Sequence, residues 1–129
     1  MNVRAIASDY AKAWSSGDPD AVASYYAEDG SIVINRGDPI SGRAAVSEMA
    51  TGFLAEFPDL HLTVDHLRIA GDHVMFGWTL EGTHSETAYK VRVLRWEEWD
   101  LDAQGKVAKS LGWFDAEDYD RQVAEGIRD

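Results

Sequence analysis

An α+β domain is predicted for this chain, with helices packed on one face of a strongly curved antiparallel sheet. Three observations predict it. Apolar residues recur at three- and four-residue spacing through most of the segment from Val3 to Phe57. From His61 onward the period changes to two. The later stretches are joined by short turns, which connect antiparallel neighbours and leave no room for crossover helices. At 129 residues the chain makes one domain, spanning 1–129. A domain of that size buries roughly two-thirds of its unfolded surface and needs no metal or disulfide to fold.

The elements follow in order. Val3, Ile6, Ala7, Tyr10, Ala11 and Trp14 form one helical face, and Gly17 stops that helix. Asp18-Pro19 opens a short second helix, with Asp18 as N-cap and Pro19 in the first turn, where its missing N–H costs nothing. Ala21, Val22, Tyr25 and Tyr26 are its expected buried face. Asp29-Gly30 is read as a turn into a short strand from Ser31 to Asn35, followed by a polar loop from Arg36 to Ser41. Ser41 is the expected N-cap of a third helix carrying Val46, Met49, Ala50, Phe53, Leu54 and Phe57 inward, and Pro58 ends it. His61 to Ile69 and His73 to His84 read as strands joined by the Ala70-Gly71-Asp72 hairpin. A long strand from about Ala88 to Leu101 turns at residues 102–105 into another, Lys106 to Phe114. A last helix begins near Asp115, with Tyr119 and Val123 inward.

Composition narrows the function classes. Twelve Lys/Arg against twenty-three Asp/Glu leave a net charge of −11. That balance argues against nucleic acid, where neutralising phosphates dominates affinity. The absence of cysteine removes thiolate zinc sites, cysteine nucleophiles and disulfides, and a reducing cytoplasm is the default location. No apolar run approaches the roughly twenty residues of a membrane span. The four histidines are not spaced as metal ligands, and neither G-x-S-x-G nor a phosphate-binding loop occurs, so no metal or cofactor is expected. His84, at a strand end, is read as a surface histidine and a weak acid–base candidate.

The long strand is the most informative stretch. One face carries Val91, Val93, Arg95, Glu97, Trp99 and Leu101; the other carries Lys90, Arg92, Leu94, Trp96, Glu98 and Asp100. The first set is the more apolar, so Arg95 and Glu97 are expected to point inward with it. Inward charges are rare unless paired or functional. Several readings follow: an ionised Arg95–Glu97 pair, the favoured one; an arginine that receives an anionic substrate while Glu97 acts as base; an arginine turned away, leaving Glu97 a neutral donor beside Tyr10; or the opposite facing, with both in solvent. Tyr10 and Trp14 face the same interior, as core packing or as a pocket wall. Asp115 is read as an N-cap, or as a carboxylate at a pocket rim. Leu94 and Trp96 on the outer sheet face suggest a homodimer.

The stretches Asp9-Tyr10-Ala11-Lys12-Ala13-Trp14-Ser15-Ser16-Gly17-Asp18 and Tyr25-Tyr26-Ala27-Glu28-Asp29 are informative together. With Phe57-Pro58-Asp59-Leu60, residues 78–84 and Trp113-Phe114-Asp115, they resemble the nuclear-transport-factor-2-like superfamily, nearest its SnoaL-like polyketide cyclases. The resemblance implies a cone-shaped, cystatin-like fold with three N-terminal helices, a pocket and a homodimer. It also implies a small apolar keto or hydroxy ligand, handled either by a cofactor-independent cyclase or isomerase or by a non-catalytic binding module. Carried over from the more distant ketosteroid isomerase, Tyr10 corresponds to the oxyanion-hole tyrosine and Glu97 to its protonated acid. The isomerase's general base falls near Ile34, so that carboxylate is missing, and the neighbouring Asn35 cannot abstract a proton. The cyclases' late-strand carboxylate falls near Gly112, which leaves Glu97 and Asp115 as its nearest substitutes. Trp14, Phe53, Trp78, Arg95 and Trp113 are the implied substrate-binding residues.

Overall fold

The computed structural model describes residues 2–127. The order is α1 (Val3–Ser16), α2 (Pro19–Ala23), β1 (Tyr26–Ile34), β2 (Ile40–Ser41), α3 (Arg43–Glu56), β3 (His61–Ala70), β4 (His73–Thr83), β5 (Lys90–Leu101), β6 (Val107–Trp113) and α4 (Ala116–Glu125). The six strands form one curved sheet in the order β2-β1-β6-β5-β4-β3. Its pairs are antiparallel except β1 with β6, which run parallel because the chain returns to β1 only after building the rest of the sheet. Register shifts interrupt β1–β6, β3–β4 and β5–β6. Such bulges bend strands and increase twist, which curls the sheet around the helices.

Local signals set the helix ends. Asn2 accepts the Ala5 N–H at 3.1 Å, and Gly17 closes α1 at φ 77°. Asp18 caps α2, accepting from Asp20 N–H at 3.0 Å. Asp115 caps α4, accepting from Asp118 N–H at 3.0 Å. Among the described residues no helix is long and apolar enough to cross a membrane.

Three local expectations are corrected. β1 starts at Tyr26 rather than Ser31, so Tyr26 belongs to the sheet and Gly30 lies inside the strand instead of in a turn. Backbone pairing with β6 outweighs the turn propensity of Asp29-Gly30 there. The expected loop after β1 holds a two-residue strand, and Ser41 lies in it; the α3 N-cap is Gly42, with no side-chain cap. The predicted strand ends near residues 84, 88 and 114 overshoot by one or two positions, as frayed ends commonly do.

The core lies between α1, α3 and the concave sheet face. Tyr10, Trp14, Tyr26, Phe76, Trp78 and Trp99 are all essentially inaccessible there. Phe76 stacks on Trp78 at 6.0 Å and tilts against Trp99 at 4.9 Å, so one aromatic layer runs across β4 and β5.

Candidate functional site

The alternation on β5 fell as its sequence pattern requires: residues 91, 93, 95, 97, 99 and 101 are buried, and their neighbours face outward. Arg95 and Glu97 are therefore inside, at 8% and 3% exposure. Arg95 sits at a seam in the sheet. The last β5–β6 pair is Trp96 with Trp113, so the preceding part of β5 pairs with β4 on one edge and has no strand on the other. Helix α4 packs there instead, and Gln122 Oε1 accepts the Arg92 N–H at 2.6 Å. Asn35, at φ 51°, ends the β1–β6 ladder by donating its N–H to the Gly112 carbonyl (2.8 Å) and accepting the Phe114 N–H (2.9 Å).

Glu97 Oε2 accepts from Trp99 Nε1 at 2.8 Å and from Ser110 Oγ at 3.2 Å. No hydrogen bond from a described residue reaches Oε1. Burial pushes the carboxyl pKa up, and this outweighs the opposing effects of the Trp99 bond, the Arg95 charge and the Ser110 bond. Opposite Glu97 in the ladder stands Gly112, where an added Cβ would meet the Glu97 Cγ at 3.6 Å. The glycine brings no side chain of its own against Glu97 on that side.

Arg95 does not form the expected ion pair. Among the described residues no carboxylate oxygen lies within 4.0 Å of it. Its guanidinium carbon lies 4.4 Å from the Phe114 ring centre, 4.6 Å from Phe53 and 5.1 Å from Trp78. Three rings offer a cation favourable electrostatics but no lone pairs. Nε and Nη2 are buried without a hydrogen-bond partner, as is Trp78 Nε1. Each such donor costs about 1–3 kcal/mol. Burial also lowers the guanidinium pKa, against the raising effect of the Glu97 charge. The expectation of a direct Arg95–Glu97 ion pair is thus corrected: aromatic packing took the arginine, and indole and hydroxyl donors took the carboxyl.

Trp14, Met49, Trp78, Arg95, Glu97, Gly112 and Trp113 line a hollow of about 10 Å³, room for one water. A larger concavity of about 350 Å³ adjoins it and shares Trp78, Arg95, Trp96, Trp113 and Phe114. Of the sequence-derived site residues, Trp14, Trp78, Arg95, Glu97 and Trp113 converge on the hollow. Phe53 stands behind it, packing on Trp14 at 6.2 Å and over Arg95. Tyr10 lies deeper, its hydroxyl 3.0 Å from that of Tyr26 and its ring edge-on to Trp99 at 5.2 Å. Burial and the nearby Glu97 carboxylate push its pKa far up. Trp14 Nε1 is buried and has no hydrogen-bond partner among the described residues. Asp115 is committed to the α4 cap. Ser110 was missed; its only sequence signal is an inward position in the period of β6.

His84 is buried, not a surface group. Its Nδ1 accepts backbone N–H groups of Glu86 (3.2 Å) and Thr87 (3.4 Å), and Nε2 lies 3.5 Å from Glu56 Oε1. The turn after β4 folds back over the ring, which a strand-end position could not reveal. Among the described residues no three His, Asp or Glu side chains converge as a metal site.

A carboxyl-carbon NMR titration should place the Glu97 midpoint above the ordinary 4.5. The folded protein then holds this proton to higher pH than the unfolded chain does. The stability owed to Glu97 is greatest in acid and declines as pH rises from 4.5 through the folded midpoint. A midpoint at or below 4.5 would show that Arg95 governs the carboxyl after all.

Known structures share the whole architecture. A protein with a ketosteroid isomerase-like fold from Catenulispora acidiphila, in complex with trimethylamine, matches at TM-score 0.84 and 21% identity, covering 92% of each chain. SalBIII, an epoxide hydrolase/cyclase-like enzyme of pyran ring formation in salinomycin, matches at 0.80 and 21%, covering 90% of this chain and 92% of its own. A SnoaL-like polyketide cyclase from Jannaschia matches at 0.79 and 13%, covering 95% and 94%. At these identities the likeness concerns the fold alone. No curated protein matches the chain. The SnoaL-like domain model matches residues 7–110, from α1 through most of β6, and on that span the chain belongs to the SnoaL-like domain family.

Proposed function

We propose that this protein binds a small, mostly apolar keto or hydroxy compound with its body in the larger concavity and its oxygen at the mouth of the Arg95–Glu97 hollow, and that it exchanges a proton with this compound through Glu97. One observation carries the reading: a buried carboxyl is held by Trp99 and Ser110 through Oε2, while Oε1, Arg95 Nε and Nη2, and Trp78 Nε1 have no hydrogen-bond partner among the described residues. A carboxyl whose pKa is raised toward neutrality suits proton transfer. Trp99 and Ser110 orient it; Tyr10, one layer back against Trp99, braces that orientation rather than reaching the ligand. Neighbours described as a polyketide cyclase and an epoxide hydrolase/cyclase-like enzyme support a small-molecule reading of this fold.

Deuterium exchange at the α-carbon of a bicyclic ketone such as 2-tetralone tests this by proton NMR. The wild-type protein should accelerate exchange over buffer, and Glu97→Gln should slow it by about 10²–10⁴-fold. Ile34 at the first-strand position favours a second reading, a binding module without turnover. Saturable ketone binding with exchange no faster than in buffer would select it.

We also propose a homodimer through the outer sheet face. Leu94 is 71% and Trp96 43% exposed there, and Trp96 borders the larger concavity, which a second copy would cover. Light scattering should show a wild-type dimer and a Trp96→Glu monomer; a monomeric wild type at micromolar concentration contradicts it.

A further inference from the structure

We propose that the ligand of this hollow carries a carboxylate, received side-on by Nε and Nη2 of Arg95 with Trp78 Nε1 as a third donor. The inference rests on the hollow being the ligand site, and it names the chemical class that site selects.

The donor inventory is one-sided. Arg95 Nε, Arg95 Nη2 and Trp78 Nε1 are all buried and unpartnered, and both residues line the hollow and the adjoining concavity. Of the nearby carboxyls, Glu97 is engaged by Trp99 and Ser110, and Asp65, at the edge of the concavity, accepts from the Thr79 hydroxyl; neither lies within ion-pair distance of Arg95. A site with donors to spare calls for acceptors. The identity of the two free arginine nitrogens says which acceptor: Nε and Nη2 form one edge of the guanidinium, whose parallel N–H groups match the two oxygens of a planar carboxylate. A ketone or alcohol offers a single oxygen and leaves the cation uncompensated. Phe53, Trp78 and Phe114 surround that cation and hold the fork in place, so little side-chain freedom is lost on binding.

The remaining walls describe the rest of the molecule. The concavity of about 350 Å³ beside Arg95 is walled by Leu94, Trp96, Trp113 and Phe114, which suit an apolar body, with Asp65 and His66 at its polar edge. The net charge of −11 opposes anions only at long range. Beyond a Debye length of about 8 Å at physiological salt that field is screened, and the local cation decides.

Calorimetric titration with 4-phenylbutanoate and with 4-phenylbutanamide, identical in shape but not in charge, tests the proposal. The carboxylate should bind at least about tenfold tighter than the amide at pH 7.5. Arg95→Met should abolish that preference while retaining amide binding. A second measurement needs no variant. In nitrogen–proton NMR of the wild-type protein, 4-phenylbutanoate should move the Arg95 Nε–H and Trp78 Nε1–H signals. The Trp99 Nε1–H signal, already bonded to Glu97, should stay in place. Equal affinity for acid and amide, or a preference that survives in Arg95→Met, overturns the carboxylate assignment and leaves the site standing. If neither probe binds and neither signal moves, the hollow is no ligand site and both readings fall.

Discussion

Trp99→Ala is expected to lower the unfolding free energy by about 3–5 kcal/mol, at the upper end for a core aromatic. Total stability of such a domain is about 5–15 kcal/mol, so the variant stands near the edge of folding. The size follows from three roles. Trp99 is wholly buried, packs on Tyr10 at 5.2 Å and Phe76 at 4.9 Å, and donates its indole N–H to Glu97. Alanine removes the ring, leaves a cavity and strips a buried carboxyl of a donor. Trp99→Phe separates these effects in part, since it keeps an aromatic ring in the layer while losing the N–H and some ring volume. Its expected cost is about 1–2 kcal/mol. The Glu97 midpoint should then rise further, because a bond that lowers it is gone. Urea denaturation of both variants supplies the comparison, and a Trp99→Ala loss below about 1 kcal/mol would contradict the packing described.

Gly30→Ala should cost about 1–3 kcal/mol, and Gly52→Ala should gain about 0.5–1 kcal/mol. The opposite signs come from what each new methyl meets. At Gly30 a Cβ would lie 2.5 Å from the Val107 carbonyl oxygen and 3.0 Å from that of Ala27, both backbone atoms that cannot rotate away. This is where β1 bulges against β6, between the Tyr26–Val107 and Ser31–Lys109 pairs. Relief requires the parallel pair to open. At Gly52, inside α3, nothing lies within 4 Å, so alanine only reduces the freedom of the unfolded chain. Thermal melts should place the two variants on opposite sides of wild type. Equal melting temperatures would mean that the bulge yields without strain.

Most of the fold was legible because long periodic segments report their own burial. The inward set on β5 could be read two residues at a time, and a strand in that register buries every member of the set, charged or not. That alone put Arg95 and Glu97 inside. The SnoaL-like resemblance, carried by Tyr10 to Asp18 and the Trp113-Phe114-Asp115 stretch, pointed to the same architecture that the model and its structural neighbours show.

What the sequence could not decide was whom each buried group meets. Arg95 and Glu97 are adjacent in the pattern, and pairing them was the economical expectation. In the folded chain Trp99 and Ser110 reach Glu97 first, while Phe53 and Phe114, from segments far away in sequence, close around Arg95. Likewise His84 was placed by its strand-end position, but the following turn and Glu56 of α3 enclose it. Periodicity depends on the direction of a side chain from its own backbone, a local property written in every second residue. Partners depend on which distant segments the closed cone brings within about 3 Å, the range of a hydrogen bond, and only the tertiary structure sets that distance.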